Sequence, residues 1–132
     1  MEPPIVELAR SITFQSAHTL PLMPDGHKCR SLHGHSYRLR LWIKGPMGDD
    51  GIVVDNAAID RFLKSVRAML DHRLLNECKI EYLEENPTAE RIAIWAYRLA
   101  RRAPGVHQFV DRVEIHEGPD SLFVYRGEGD WQ

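Results

Sequence analysis

Seven residues, Cys29 to His35 in "CRSLHGH", bring one thiol and two imidazoles together. An extended backbone points alternate side chains the same way, so His33 and His35 project together with Gly34 between them. Two imidazoles about 7 Å apart along a strand can converge on one ion. His18 closes the segment "ITFQSAH" and joins them if the two segments pair antiparallel. Three neutral imidazoles suit Zn2+ and leave one tetrahedral position open to water or substrate, which separates a catalytic site from a closed structural one. A lone strand-end histidine more often has a surface role. His27, His107 and His116 lack such a frame and are read as structural or surface residues.

Cys29 precedes His33 by four residues, in a segment loosened by Pro24 and Gly26. Its thiol has three possible fates: a fourth metal ligand, which would close the site, a nucleophile or base, or a small buried side chain. As a base it must be a thiolate, a form that neighbouring Lys28, Arg30 and a metal would favour. In "LDHRLLN", Asp71 beside His72 has the composition of a carboxylate that orients an imidazole. Adjacent residues rarely face each other on a helix, so a plain helix-terminal pair is the simpler reading. Glu117 ends the alternation Val113, Ile115, Glu117, where a carboxylate can accept paired N–H bonds from a guanidine-like heterocycle edge or merely be solvated. Cys78 has no histidine frame and reads as structural.

These residues need a scaffold, and the hydrophobic pattern predicts one. "IVELARSITFQSAH" is a first strand, and "LPLMPDGHKCRSL" is a loop. From His35 the period is two, with Tyr37, Leu39, Leu41 and Ile43 on the same side, Ser36, Arg38, Arg40 and Lys44 on the other, and Trp42 as the exception. Asp55 caps a helix whose stripe is Ile59, Phe62, Leu63, Val66, Met69 and Leu70. "NPTAE" offers Asn86 as cap and Pro87 as first residue of a second helix, with Ile92, Trp95, Ala96, Leu99 and Ala103 on its apolar side. "DRVEIHE" and "SLFVYRG" are two strands about a "GPD" turn. The order β-β-α-α-β-β predicts an α+β layer, an antiparallel sheet with two helices on one face. The sheet's other face then needs cover, which an oligomer would supply.

Length and composition set the outer bounds. At 132 residues, with no repeat or linker, residues 1–132 read as one domain able to bury a core. A net charge of −2 leaves no basic footprint for nucleic acid or a polybasic membrane patch. No apolar run approaches the roughly 20 residues of a membrane span, and "MEPPIVELAR" does not read as a secretory signal. Two cysteines without a secretory context are expected to be free thiols in the cytoplasm.

Taken in order, "FQSAH", "GHKCRSLHGHSY", "LDHRLLN", "NPTAE" and "VEIHEGP" resemble the 6-pyruvoyltetrahydropterin synthase family over about Ile5 to Gly127. Within it the C-x-x-x-H-G-H spacing is most similar to the 6-carboxytetrahydropterin synthase branch of queuosine biosynthesis. The pyruvoyl-forming branch has more residues between its cysteine and H-G-H, and a folate-linked branch has a glutamate where Cys29 stands. The resemblance implies a tunnelling (T) fold, a homohexamer of two stacked trimers, and active sites between subunits. It implies that His18, His33 and His35 hold Zn2+, that Cys29 is the catalytic thiolate, that Asp71 and His72 handle protons, and that Glu117 anchors a pterin. The implied reaction takes 7,8-dihydroneopterin triphosphate to 6-carboxy-5,6,7,8-tetrahydropterin, releasing acetaldehyde and triphosphate. Lys28, Arg30 and Arg73 are candidates for the anionic tail. Two positions depart from the family pattern. Asn56 replaces a usual aromatic and Gly118 a usual threonine, which leaves the choice of pterin, and of queuosine or another 7-deazapurine pathway, open. Alternatives are a sister lyase of the same family and a non-catalytic zinc-stabilised binding module, in which Cys29 would coordinate the metal.

Overall fold

The computed structural model describes residues 2–131. Its frame is a long antiparallel pair, β1 (Ile5–His18) and β2 (His33–Pro46), in register from Ile5–Pro46 to His18–His33. Period two in both strands gives one apolar side: Phe14, Tyr37, Leu39, Leu41 and Ile43 are all buried. The burial of each such side chain contributes about 1.5–3 kcal/mol.

The first helix, α1 (Asn56–Leu70), starts where expected, with the Asp55 carboxylate accepting from the Ala57 amide. Ile59, Phe62, Leu63, Val66 and Leu70 form its buried stripe, but Met69 lies off it and is 39% exposed. The second helix, α2 (Ala89–Ala100), is capped differently from the sequence expectation. Thr88, not Asn86, takes the Arg91 amide, because buried Asn86 turns its side chain to the Leu22 amide. This helix ends at Ala100, before Ala103 and the Pro104-Gly105 stop.

Between the helices the chain forms a strand too short for periodicity to announce. This β3 (Arg73–Leu74) runs parallel to β1 at Ser16 and Ala17. With β4 (Val110–Glu117) and β5 (Ser121–Tyr125), the sheet order is β3-β1-β2-β4-β5, antiparallel except at β3. Both helices cover the side bearing Phe14, Leu39, Val113 and Ile115, as the α+β expectation had it.

The opposite face is mixed. Thr13, Arg38, His116 and Leu122 stand in one cross-strand row, and Ser11, Arg40, Glu114 and Val124 in the next. Water satisfies the polar groups, while Leu122 and Val124 are left exposed on β5 at the sheet's edge. On its side away from β2, β1 has no strand partner from Ile5 to Phe14 among the described residues, and Gln15 is bonded to Asp71 and His72. Among the described residues, no helix is long and apolar enough to cross a membrane.

Candidate metal centre and active site

His18 is the last residue of β1 and faces His33, the first residue of β2, with His35 two positions on. The rings stand edge to face, with centroids 4.5 Å (His18–His33), 5.1 Å (His18–His35) and 5.0 Å (His33–His35) apart. One nitrogen of each lies within 4.8 Å of the others, the only such cluster of three or more metal-ligating side chains among the described residues. A tetrahedral Zn2+ with Zn–N bonds near 2.0–2.1 Å needs neighbouring nitrogens about 3.3 Å apart, so modest ring rotations complete the match.

Hydrogen bonding shows why a cation fits. His18 Nδ1 lies 2.7 Å from the Pro87 carbonyl, and His33 Nδ1 lies 2.7 Å from the Ser31 carbonyl. A carbonyl only accepts, so each neutral ring carries its proton on Nδ1 and presents a lone pair at Nε2. Those two Nε2 atoms are 2.9 Å apart. Two lone pairs facing at that distance repel unless a positive charge sits between them. A proton is a poor occupant, because burial, ahead of repulsion from the other two rings, lowers the His18 pKa to about 4. The donor set therefore fits a divalent metal, with carbonyls fixing two rings in the manner of outer-sphere partners.

The same shift sets a pH dependence. Because the folded state resists protonating His18, the unfolded chain binds more protons between about pH 4 and 6.5, and stability rises with pH across that window. Metal-free protein is expected to lose roughly 3 kcal/mol from this group as pH falls from about 6.5 to 4. Urea denaturation at intervals across this range measures it, and a flat profile contradicts a His18 held neutral by burial.

Cys29 lies outside the three-histidine cluster as a free thiol, in a three-residue 3-10 turn (Lys28–Arg30). Its amide donates to His27 Nδ1 at 3.0 Å, and its carbonyl accepts from the Leu20 amide at 2.9 Å. The loop that carries the thiol is thus tied to the chain two residues beyond His18. His27 is the cap of that turn, a structural role. Arg30 is committed to the same loop, donating to the Pro21 and Met23 carbonyls at 2.7 and 2.8 Å.

Asp71 and His72 do meet, which adjacent residues achieve here by leaving the helix. Asp71 caps α1 in an extended conformation and His72 turns left-handed at φ +57, placing Asp71 Oδ1 3.1 Å from His72 Nδ1. The Gln15 amide first, then His72 and Arg67, hold the Asp71 carboxyl below the usual carboxylate range. Hydrogen bonds to the Gln15 amide and carbonyl place the pair on the outer side of β1, away from β2, where His72 and His35 line one open pocket. The His72 side chain is 77% exposed.

Glu117, half-buried at the end of β4, sets Oε2 3.9 Å from His35 Nε2 and 3.4 Å from the Tyr37 hydroxyl. Burial, then the Glu117 carboxylate, raises the Tyr37 pKa, so the phenol keeps its proton and donates to Glu117. Tyr37 was not singled out from the sequence, although period two had already placed it beside His35. The Pro87 and Ser31 carbonyls carried no sequence signal.

A family model for 6-pyruvoyl tetrahydropterin synthase matches residues 7–128. The chain belongs to the 6-pyruvoyl tetrahydropterin synthase family. It is 36% identical over 124 residues to a 6-carboxy-5,6,7,8-tetrahydropterin synthase of Synechocystis sp., covering 88% of this chain and 89% of the relative. It is 31% identical over 107 residues to a dihydroneopterin monophosphate aldolase of Pyrococcus furiosus, covering 80% and 84%. Its fold superposes on the 6-pyruvoyl tetrahydropterin synthase of Caenorhabditis elegans with a TM-score of 0.87 at 26% identity, covering 97% and 99%. The fold is therefore the family's T-fold.

Within the family frame, the two departures have different settings. Asn56 opens α1 next to Asp55, beyond the end of β2 where Gly45 packs on Val53. The histidines are at the other end of that 14-residue strand. Gly118 has φ +70, with open space around an added Cβ. A β-branched threonine would be strained there by its backbone, so the glycine follows from the turn this chain makes after Glu117.

Proposed function

We propose that this chain is a zinc-dependent 6-carboxytetrahydropterin synthase, a carbon–carbon lyase acting on 7,8-dihydroneopterin triphosphate in the route to queuosine or a related 7-deazapurine. The observation that carries the reading is a metal-capable cluster of three imidazoles with no thiol in it. That leaves a coordination position for substrate and leaves Cys29 free for chemistry. A bound Zn2+ would supply Lewis-acid polarisation of the substrate's side-chain oxygens.

The remaining roles fall to the chain's own groups. Glu117, oriented by the Tyr37 hydroxyl, accepts the 2-amino and ring N–H bonds of the pterin and fixes its edge beside His35. The Cys29 thiolate removes a proton from carbon in the substrate side chain. His72, its Nδ1–H held by an ionised Asp71, presents a basic Nε2 that exchanges protons with substrate oxygen. Triphosphate leaves by elimination, water adds to the side-chain carbonyl next to the ring, and carbon–carbon cleavage leaves that carbon as the carboxylate while the two-carbon fragment takes up a proton and departs as acetaldehyde.

His72 and Asp71 face outward at the edge of β1, which favours a site shared between copies of the chain, as in a homohexamer. The unpaired outer side of β1 and the β5 edge are surfaces through which such copies can pair. Two free thiols fit a cytoplasmic enzyme.

Incubating zinc-loaded protein with dihydroneopterin triphosphate is expected to yield acetaldehyde and 6-carboxytetrahydropterin in equal amounts. A pyruvoyl product without acetaldehyde would assign the sister lyase. Cleavage of dihydroneopterin monophosphate would assign the aldolase activity named for the Pyrococcus furiosus relative.

A further inference from the structure

The last described residues are fastened across α2 to the segment that buttresses the histidine site. Gly127, at φ +82, passes so close to Tyr97 that a Cβ would come within 2.5 Å of the phenol oxygen. Further on, the Trp131 carbonyl accepts from Arg98 Nη2 at 2.6 Å. The Trp131 indole packs on the Tyr82 ring with centroids 4.9 Å apart, and the Arg91 guanidinium lies 4.9 Å over the indole. Arg98 in turn covers the Tyr82 ring at 4.8 Å. Tyr82 has a left-handed backbone, φ +76, which a bulky residue keeps only when its surroundings hold it there.

Tyr82 belongs to the connection between β3 and α2, and that connection touches the site at three points. Asn76 exchanges hydrogen bonds with both the amide and the carbonyl of Thr19, at 2.9 and 3.0 Å, and also donates to the Glu84 carbonyl. Asn86 accepts the Leu22 amide at 3.2 Å. The Pro87 carbonyl accepts His18 Nδ1–H at 2.7 Å. The connection is therefore bonded to the end of β1 on one side and stacked against Trp131 on the other.

We infer that residues 126–131 form a strap in which Trp131, held by Arg91, Arg98 and Tyr82, is a positioning residue. It fixes the 80–87 segment so that the Pro87 carbonyl keeps His18 in its Nδ1–H tautomer, with Nε2 aimed at the three-histidine cluster. The metal arm of the test below rests on the proposed function, whereas the tautomer arm does not.

The test uses the full chain with Trp131→Ala, Trp131→Phe and Arg98→Met. Imidazole 15N spectra of metal-free protein are expected to show His18 as a single Nδ1–H tautomer in the parent and in Trp131→Phe, and as a tautomer mixture in Trp131→Ala. Competition with a chelator for Zn2+ is expected to show an affinity about 10-fold weaker in Trp131→Ala, the lower end of the cost of losing an outer-sphere partner, with Trp131→Phe close to the parent. Arg98→Met, which keeps the indole but removes the carbonyl contact, should fall between them. It also serves as the test if Trp131→Ala does not fold. An unchanged His18 tautomer in folded Trp131→Ala or Arg98→Met overturns the strap, whatever happens to thermal stability. A parent chain that binds no Zn2+, yet whose His18 tautomer still responds to Trp131, upholds the strap and removes the metal reading instead.

Discussion

Cys29→Ala is expected to retain its bound metal and to lower the rate of acetaldehyde release about 10³-fold, within the range for loss of a proton-transferring side chain. Retention follows from the ligand geometry, since the thiol lies outside the three-imidazole cluster. The loop should survive the change as well. Cys29 fastens it through main-chain groups, its amide to His27 and its carbonyl to Leu20, and alanine keeps both. Metal analysis by atomic emission, together with steady-state acetaldehyde measurement, separates the outcomes. Loss of metal in proportion to loss of activity would make the sulfur a fourth ligand and the site a closed structural one. Undiminished turnover would remove the thiolate from the mechanism.

His33→Ala is expected to weaken metal binding without unfolding the chain. If a structural zinc site's 10–16 kcal/mol is shared over four donors, one imidazole contributes roughly 3 kcal/mol, so affinity should fall about 10²-fold. His33 is the informative choice because it is only half-buried at the start of β2. His18 is 1% exposed and bonded to Pro87, so removing it would damage the core as well. The metal-free proteins offer a second comparison. Without a cation, two Nε2 lone pairs face each other at 2.9 Å, so metal-free His33→Ala should be no less stable than its metal-free parent. A clear loss of stability in that comparison would show that the rings attract each other through a shared proton, and the case for a metal would weaken accordingly.

Much of the site could be read from local pattern, because a strand fixes side-chain direction within two residues. Placing His33 and His35 together required only the pleat, and adding His18 required only that β1 and β2 pair antiparallel, as they do to the last residue. The α1 stripe and its Asp55 cap were legible for the same kind of reason, a fixed period with a capping side chain at its start. Where two local readings competed, position in the sequence could not choose between them. Asn86 and Thr88 are both good helix caps. The decision came from the Leu22 amide, 64 residues away in sequence, which needs an acceptor and takes the Asn86 side chain.

Asp71 and His72 show the same division. Their chemistry is written in the sequence, but their contact depends on a left-handed turn at His72, held by the Gln15 main chain on a neighbouring strand. The sheet's open face shows it from the other direction. Pattern alone said that this face needs cover, and only the register shows what it offers a partner: rows of Thr13, Arg38 and His116 and of Ser11, Arg40 and Glu114 that end in exposed Leu122 and Val124 on β5.

By itself, then, the order of residues determined which groups are able to do chemistry and which way the strand residues among them point, because backbone periodicity is a local property of the chain. Only the tertiary structure decided the tautomer of His18 and the company of those groups: Pro87 against His18, Tyr37 against Glu117, and Cys29 outside the cluster. The physical reason is that carbonyls and lone pairs act over about 3 Å, and residues 69 positions apart, such as His18 and Pro87, reach that distance only when the whole core has packed.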